Sequence, residues 1–168
     1  MRAAALALLL AAAPALAAPE GLTPVSRPAR WGFGVLLGDP FGLSLKRYMG
    51  GAQAWDAYAA FAYGPGIRFG ADWIWILGRA VQARQVDLDV YVGAGPFIGS
   101  FRGPCGVAYL NYACNGDVYF GGRVPIGAEL LFKEAPVSVG AELAPALLFA
   151  PGGALLYLDF LLAIRVLF

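Results

Sequence analysis

From residue 31 to the C-terminus, apolar side chains alternate with small or polar ones at a period of two. Successive side chains of a β-strand point to opposite sides of its sheet, so this spacing predicts strands with two unlike faces. The last fifteen residues carry the pattern most fully. Leu156, Leu158, Phe160, Leu162, Ile164, Val166 and Phe168 fall on one face. Asp159, Ala163 and Arg165 fall on the other, with Tyr157, Leu161 and Leu167. Seven earlier segments follow the same rule, which predicts eight strands over 31–38, 42–49, 54–63, 67–77, 86–98, 118–132, 137–147 and 154–168. Gly38-Asp39-Pro40, Gly50-Gly51, Gly64-Pro65-Gly66, Lys133-Glu134-Ala135-Pro136 and Pro151-Gly152-Gly153 supply turn chemistry between them. Pro96, Pro125 and Pro145 fall inside predicted strands, where the missing donor predicts a bulge or a strand end.

The charges obey the same alternation. Lys46, Asp56, Arg68, Asp72, Asp87, Asp89, Arg123, Glu129, Glu142, Asp159 and Arg165 all lie on the face opposite the apolar one. A basic residue on a lipid face at mid-membrane costs roughly 2–4 kcal/mol. These eleven residues are therefore expected to form a lumenal charge network. Arg47 is the exception, and its place near a strand end suits a side chain that snorkels to an interface. Trp31, Trp55, Tyr63, Trp73, Trp75, Phe132 and Phe168 lie near strand ends, as interfacial aromatic girdles do.

Composition turns this pattern into a membrane expectation. Hydrophobic residues make up 60% of the 168 and charged residues 14%, with a mean hydropathy of +0.65. A soluble domain carries about 25% charged residues, so part of this exterior is expected to face lipid. Only helices and closed barrels satisfy their backbones in hydrocarbon. No apolar run after the first residues approaches the ~18 a helix needs; the uncharged stretch 143–158 is broken by Pro145, Pro151, Gly152 and Gly153. The expected fold is all-β, an eight-stranded antiparallel up-and-down transmembrane β-barrel. Arg2, the apolar run 3–14 and Ala15-Leu16-Ala17 read as an export signal cleaved after Ala17. The organisation expected is a signal peptide over 1–17, a periplasmic N-terminal segment over 18–30 and an outer-membrane barrel over 31–168. Loss of Arg2 leaves 11 basic and 11 acidic residues, which gives no electrostatic case for nucleic acid.

Phe168, closing a strand of alternating apolar residues, resembles the C-terminal signal read by the outer-membrane assembly machinery. The first hairpin reads Gly32-x-Gly34-x-x-x-Gly38-x-Pro40-x-Gly42-Leu43-Ser44-x-Lys46. With Arg123-x-Pro125-x-Gly127 and Glu142-x-x-Pro145, it is similar to a family of small outer-membrane barrels of OmpA/OmpX-like architecture that share a Gly-x-Pro-x-Gly-Leu-Ser opening. The resemblance implies the fold and the membrane, and brings no catalytic residue.

Candidate chemistry is sparse. The chain has no histidine, the commonest general base and zinc ligand. Ser26, Ser44, Ser100 and Ser138 have no recognisable base partner. Asp87 and Asp89 share one strand face, an arrangement that can serve acid–base work or a divalent cation, but lumenal ion pairs with Arg68, Arg123 or Arg165 are the expectation. Cys105 and Cys114 lie in the longest loop and are expected to form a disulfide after export. That loop is expected outside the cell, with Tyr109, Leu110 and Tyr112 available for contact. No enzyme activity, cofactor or metal is expected. The expected partners are outer-membrane lipid and the assembly machinery. The leading expectation is a structural or interaction barrel with a side-chain-filled polar lumen. A narrow channel is the alternative, favoured by Gly70, Gly93, Gly121 and Gly140 if they leave lumenal gaps. A soluble lipocalin-like barrel would need the two faces reversed.

Overall fold

The computed structural model describes residues 21–62, 66–101, 116–151 and 153–168. Among them every regular element is a strand: β1 (Arg30–Asp39), β2 (Phe41–Gly50), β3 (Gln53–Ala62), β4 (Gly66–Gln82), β5 (Val86–Ser100), β6 (Val118–Arg123), β7 (Ile126–Phe132), β8 (Val137–Ala150) and β9 (Gly153–Leu167). All pairings are antiparallel, and β9 returns to pair with β1, so the sheet closes into a ring.

Nine segments stand where eight were expected because the strand over 118–132 is interrupted at Val124 and Pro125. The interruption is local. Arg123 pairs with Ala146 and Ile126 with Leu143, which is one continuous register against β8. Gly95 with Arg123 and Val92 with Ile126 keep one register against β5 as well. Gly93 still donates to the Pro125 carbonyl at 2.7 Å, and Val124 to the Pro145 carbonyl at 2.9 Å. Pro125 thus lacks only its own donor. Pro96 and Pro145, by contrast, sit inside unbroken strands without a register shift. Pro96 removes the two pairs between Gly70–Phe97 and Trp73–Ala94 and nothing more. Register shifts lie elsewhere, further along β4 at Ile76/Gly78 and Arg79/Val81 and at Tyr48/Gly50 on β2.

The ring is staggered. Following the register once around from Val35 leads through Leu43, Ala59, Phe69, Ile98, Phe120 and Phe149 to Ala154. Val35 itself pairs with Ile164, so the circuit closes ten residues away from its start, the difference between 164 and 154. At ~3.3 Å per residue and ~4.8 Å between strands, that stagger over eight ladders tilts the strands roughly 40° from the ring axis. Such tilt leaves the ends uneven. β4 runs past Trp75, its last residue paired with β3 (to Gln53), and exposes an edge there. The N-terminal segment covers it: Thr23 and Arg79 exchange backbone bonds of 3.1 and 2.9 Å. Arg27 and Gly51 exchange bonds of 3.3 and 3.1 Å next to it. Covering an edge in this way removes a template for unwanted pairing.

The two faces of the sheet are inverted relative to a water-soluble core. Leu156 is 74% exposed and Phe120 61%, whereas Arg68 and Asp159 are fully buried. Phe33, Leu43, Phe69, Leu143, Leu162 and Val166 also point outward. The apolar face is therefore outside, the opposite of the lipocalin-like arrangement.

Inward glycines carry aromatic rings. Tyr58 pairs with Gly70, Tyr119 with Gly99, Tyr91 with Gly127 and Phe97 with Gly121. In each pair the ring occupies the space a Cβ on the glycine would need. At Gly93 that space holds Ile74 and Pro125. The gaps that would favour a channel are thus filled at Gly70, Gly93 and Gly121. Gly140 differs, its nearest contacts being 3.6–3.9 Å away. Gly121→Ala is expected to cost about 1–3 kcal/mol by overpacking, and Gly140→Ala less than about 0.5 kcal/mol. Urea unfolding midpoints of the two variants against the parent check this contrast.

Candidate functional site

Alternation sends one side chain in two to the interior, and the tilt brings charges from distant strands to common levels. All eleven charged residues expected on the inner face are buried there. Their ion pairs join them into two groups, one that contains Glu129 and Asp89 and one that contains Arg123 and Asp159.

Nearest the chain termini, Glu129 on β7 accepts from Lys46 on β2 at 2.9 Å and from the Tyr48 hydroxyl at 2.8 Å. Arg165 on β9 lies 3.5 Å from the same carboxylate. Arg165 also pairs with Asp56 on β3 and donates from Nε to Ser44 Oγ at 2.8 Å. Ser44 in turn donates to Asp56 at 2.7 Å, so the carboxylate is held from two sides. In the second group Arg123 on β6 donates from Nε to Asp72 on β4 at 3.0 Å. It also stands 3.2 Å from Glu142 on β8 and 3.4 Å from Asp159 on β9. The Tyr91 hydroxyl donates to Glu142 at 3.0 Å. In the same group, Arg68 on β4 grips Asp159 with two parallel bonds of 3.0 and 2.9 Å. The Arg68 guanidinium carbon lies 3.9 Å from the centre of the Phe97 ring. Such planar, bidentate and stacked contacts are what guanidinium does better than ammonium.

Asp87 and Asp89 choose other partners than the sequence suggested. Arg68 stands opposite Gly99 and Arg123 opposite Gly95, too far along β5 to reach them. Asp89 faces Arg79 instead, which donates from Nε at 2.8 Å, and Asp87 takes Arg79 at 2.8 Å and Lys133 at 2.9 Å. Arg79 was missed because the predicted strand stopped at 77. Arg27 was missed because it precedes the first strand. It enters from the N-terminal segment, donates from Nε to Asp89 at 2.9 Å and lies 3.9 Å from Glu129. The only signal for either was a basic residue within reach of unpaired acids, and reach is not visible in one dimension.

Above the charged groups the interior is apolar and aromatic. Leu36, Ala60, Phe97, Phe101, Tyr119, Leu148 and Leu161 pack together. Phe101 and Tyr119 rings lie 4.7 Å apart and Phe97 and Tyr157 rings 6.2 Å apart. Among the described residues no three His, Cys, Asp or Glu side chains are grouped to hold a metal ion. Cys105, Cys114, Tyr109, Leu110 and Tyr112 lie outside the described residues. Phe168 exchanges two backbone bonds of 2.9 Å with Trp31, which zips the last residue to the first strand.

No family model, curated protein or solved structure matches this chain.

Proposed function

We propose that the chain is an exported outer-membrane β-barrel with a structural or interaction role and a lumen closed by its own side chains. The observation that carries this reading is the inverted distribution: paired charges inside and large apolar side chains outside. In water each exposed Leu, Ile or Phe forgoes about 1.5–3 kcal/mol of burial, and the outer face carries them on every strand. In lipid that cost disappears, and a closed ring satisfies the backbone without an aqueous face. No helix among the described residues is long and apolar enough to cross a membrane, so crossing falls to the strands.

Pairs that bridge opposite walls support the closed lumen. Lys46 to Glu129 joins β2 to β7, and Arg68 to Asp159 joins β4 to β9. An eight-stranded ring is only wide enough for side chains to fill. In this reading the termini face the periplasm, residues 1–17 are the removed export signal, and Phe168 is the mark for assembly. The resemblance of the first hairpin to small outer-membrane barrels supports the same placement. Electrophoresis in SDS with and without boiling tests it. The expected result is a migration shift on boiling and recovery from the membrane fraction, with no conductance in planar bilayers. Recovery in the soluble fraction without a shift would remove the membrane reading, and a stable conductance would remove the closed lumen.

A further inference from the structure

We propose that the outer face of β1, β2 and β3 is a phospholipid site, with the phosphate on Arg47 and one acyl chain in the groove beside it. The proposal rests on the membrane reading and adds a ligand to it. Trp31, Arg47, Trp55 and Trp73 stand directly opposite one another on β1, β2, β3 and β4. They make one outward row of a girdle in which a cation replaces an indole. The Arg47 guanidinium carbon lies 4.7 Å from the centre of the Trp31 ring. Trp31 and Trp55 meet edge to face, with centroids 5.4 Å apart. Arg47 is thus held in place against the wall. Its neighbour Lys46 points inward to Glu129, while no carboxylate among the described residues forms an ion pair with Arg47. A fixed guanidinium on a lipid-facing surface recruits an anion whose oxygens match its fork, and a phosphate does so.

Two residues along β2 from Arg47, on the same face, Leu45 stands between Phe33 and Ala57, and Leu43 then stands opposite Ala59. These five side chains line an open, almost wholly apolar groove of about 330 Å³. The alanines make the depression, and Phe33 and Leu43 stand proud of it, each 50% exposed. A cation at the interface and a groove leading from it toward mid-membrane match a phosphate diester joined to an acyl chain. Free phosphate lacks the chain, and diacylglycerol lacks the anion.

Native mass spectrometry of the full mature protein in non-ionic detergent tests this, with phosphatidylglycerol, diacylglycerol of the same chains and inorganic phosphate as separate probes. The expected result is one retained phosphatidylglycerol, no retained diacylglycerol and no displacement by millimolar phosphate. Arg47→Gln and Ala57→Phe are each expected to lower retention about tenfold, and Ala59→Leu several-fold, while Arg84→Gln leaves it unchanged. Equal retention of diacylglycerol, or undiminished retention in Arg47→Gln and both groove variants, would overturn the site. The SDS heat shift is run on every sample. A protein soluble without detergent loses the membrane reading and the site together, whereas a heat-shifting, membrane-extracted protein that retains no phospholipid loses the site alone.

Discussion

Arg123→Met is expected to lower the unfolding free energy by about 3–5 kcal/mol, the usual cost of leaving a buried ion without its partner. Arg123 is the cation that Asp72 bonds to at 3.0 Å, and it also faces Glu142 and Asp159. Asp159 keeps Arg68 after the change, and Glu142 keeps the Tyr91 hydroxyl. Asp72 loses the guanidinium that holds it, and that loss sets the size of the effect. Adding Asp72→Leu is expected to restore more than half of the stability, because a buried pair replaced by apolar groups is often neutral. Urea unfolding of the refolded protein in detergent reads both variants, with the midpoint moving and the slope unchanged. A single variant that unfolds at the parent's midpoint would mean that water reaches Asp72, and the lumen would not be closed.

Deletion of residues 18–28 carries the next largest expectation. It removes the charge-assisted bonds from Arg27 to Asp89, about 1.5–3 kcal/mol. It also removes the burial of Val25 against Tyr48, Ile74 and Leu131, about 1.5 kcal/mol at most. Ordering the segment costs entropy that the deletion returns, so a net loss of about 2–3 kcal/mol is expected. Conductance is expected to stay at zero, because Lys46 with Glu129 and Arg68 with Asp159 still cross the ring. A conductance that appears only in the truncated protein would assign the segment the role of a plug. An unchanged urea midpoint would mean that Arg27 contributes nothing to the charge network.

The alternation from Trp31 onward made the strands and both faces legible, because period two is a local property of the chain. All eleven charges set on the polar face are buried in the ring. Pro125 broke its strand as a missing donor predicts. Pro96 and Pro145 did not, since each sits where the ladder gives up a pair or faces the neighbouring break. Whether Gly70, Gly93 and Gly121 leave lumenal gaps, the condition for the channel alternative, was not legible in the sequence. Nothing local tells that the residue paired with Gly70 or Gly121 is an aromatic lying over it, because pairing depends on register between strands.

The sequence by itself determined the strand faces, and with them an interior of charges and an exterior of apolar residues, for a physical reason. A charge on the wrong face costs kilocalories whatever its neighbours are. Only the tertiary structure decided which acid meets which base. The register shift at Ile76/Gly78 places Asp89 opposite Arg79, and closure of the ring with a stagger of ten residues brings Arg68 to Asp159 on the far wall. The same stagger leaves the edge of β4 that draws Thr23 onto Arg79 and Arg27 into the network. Partner choice is set by distance through space, and closure of the ring sets that distance.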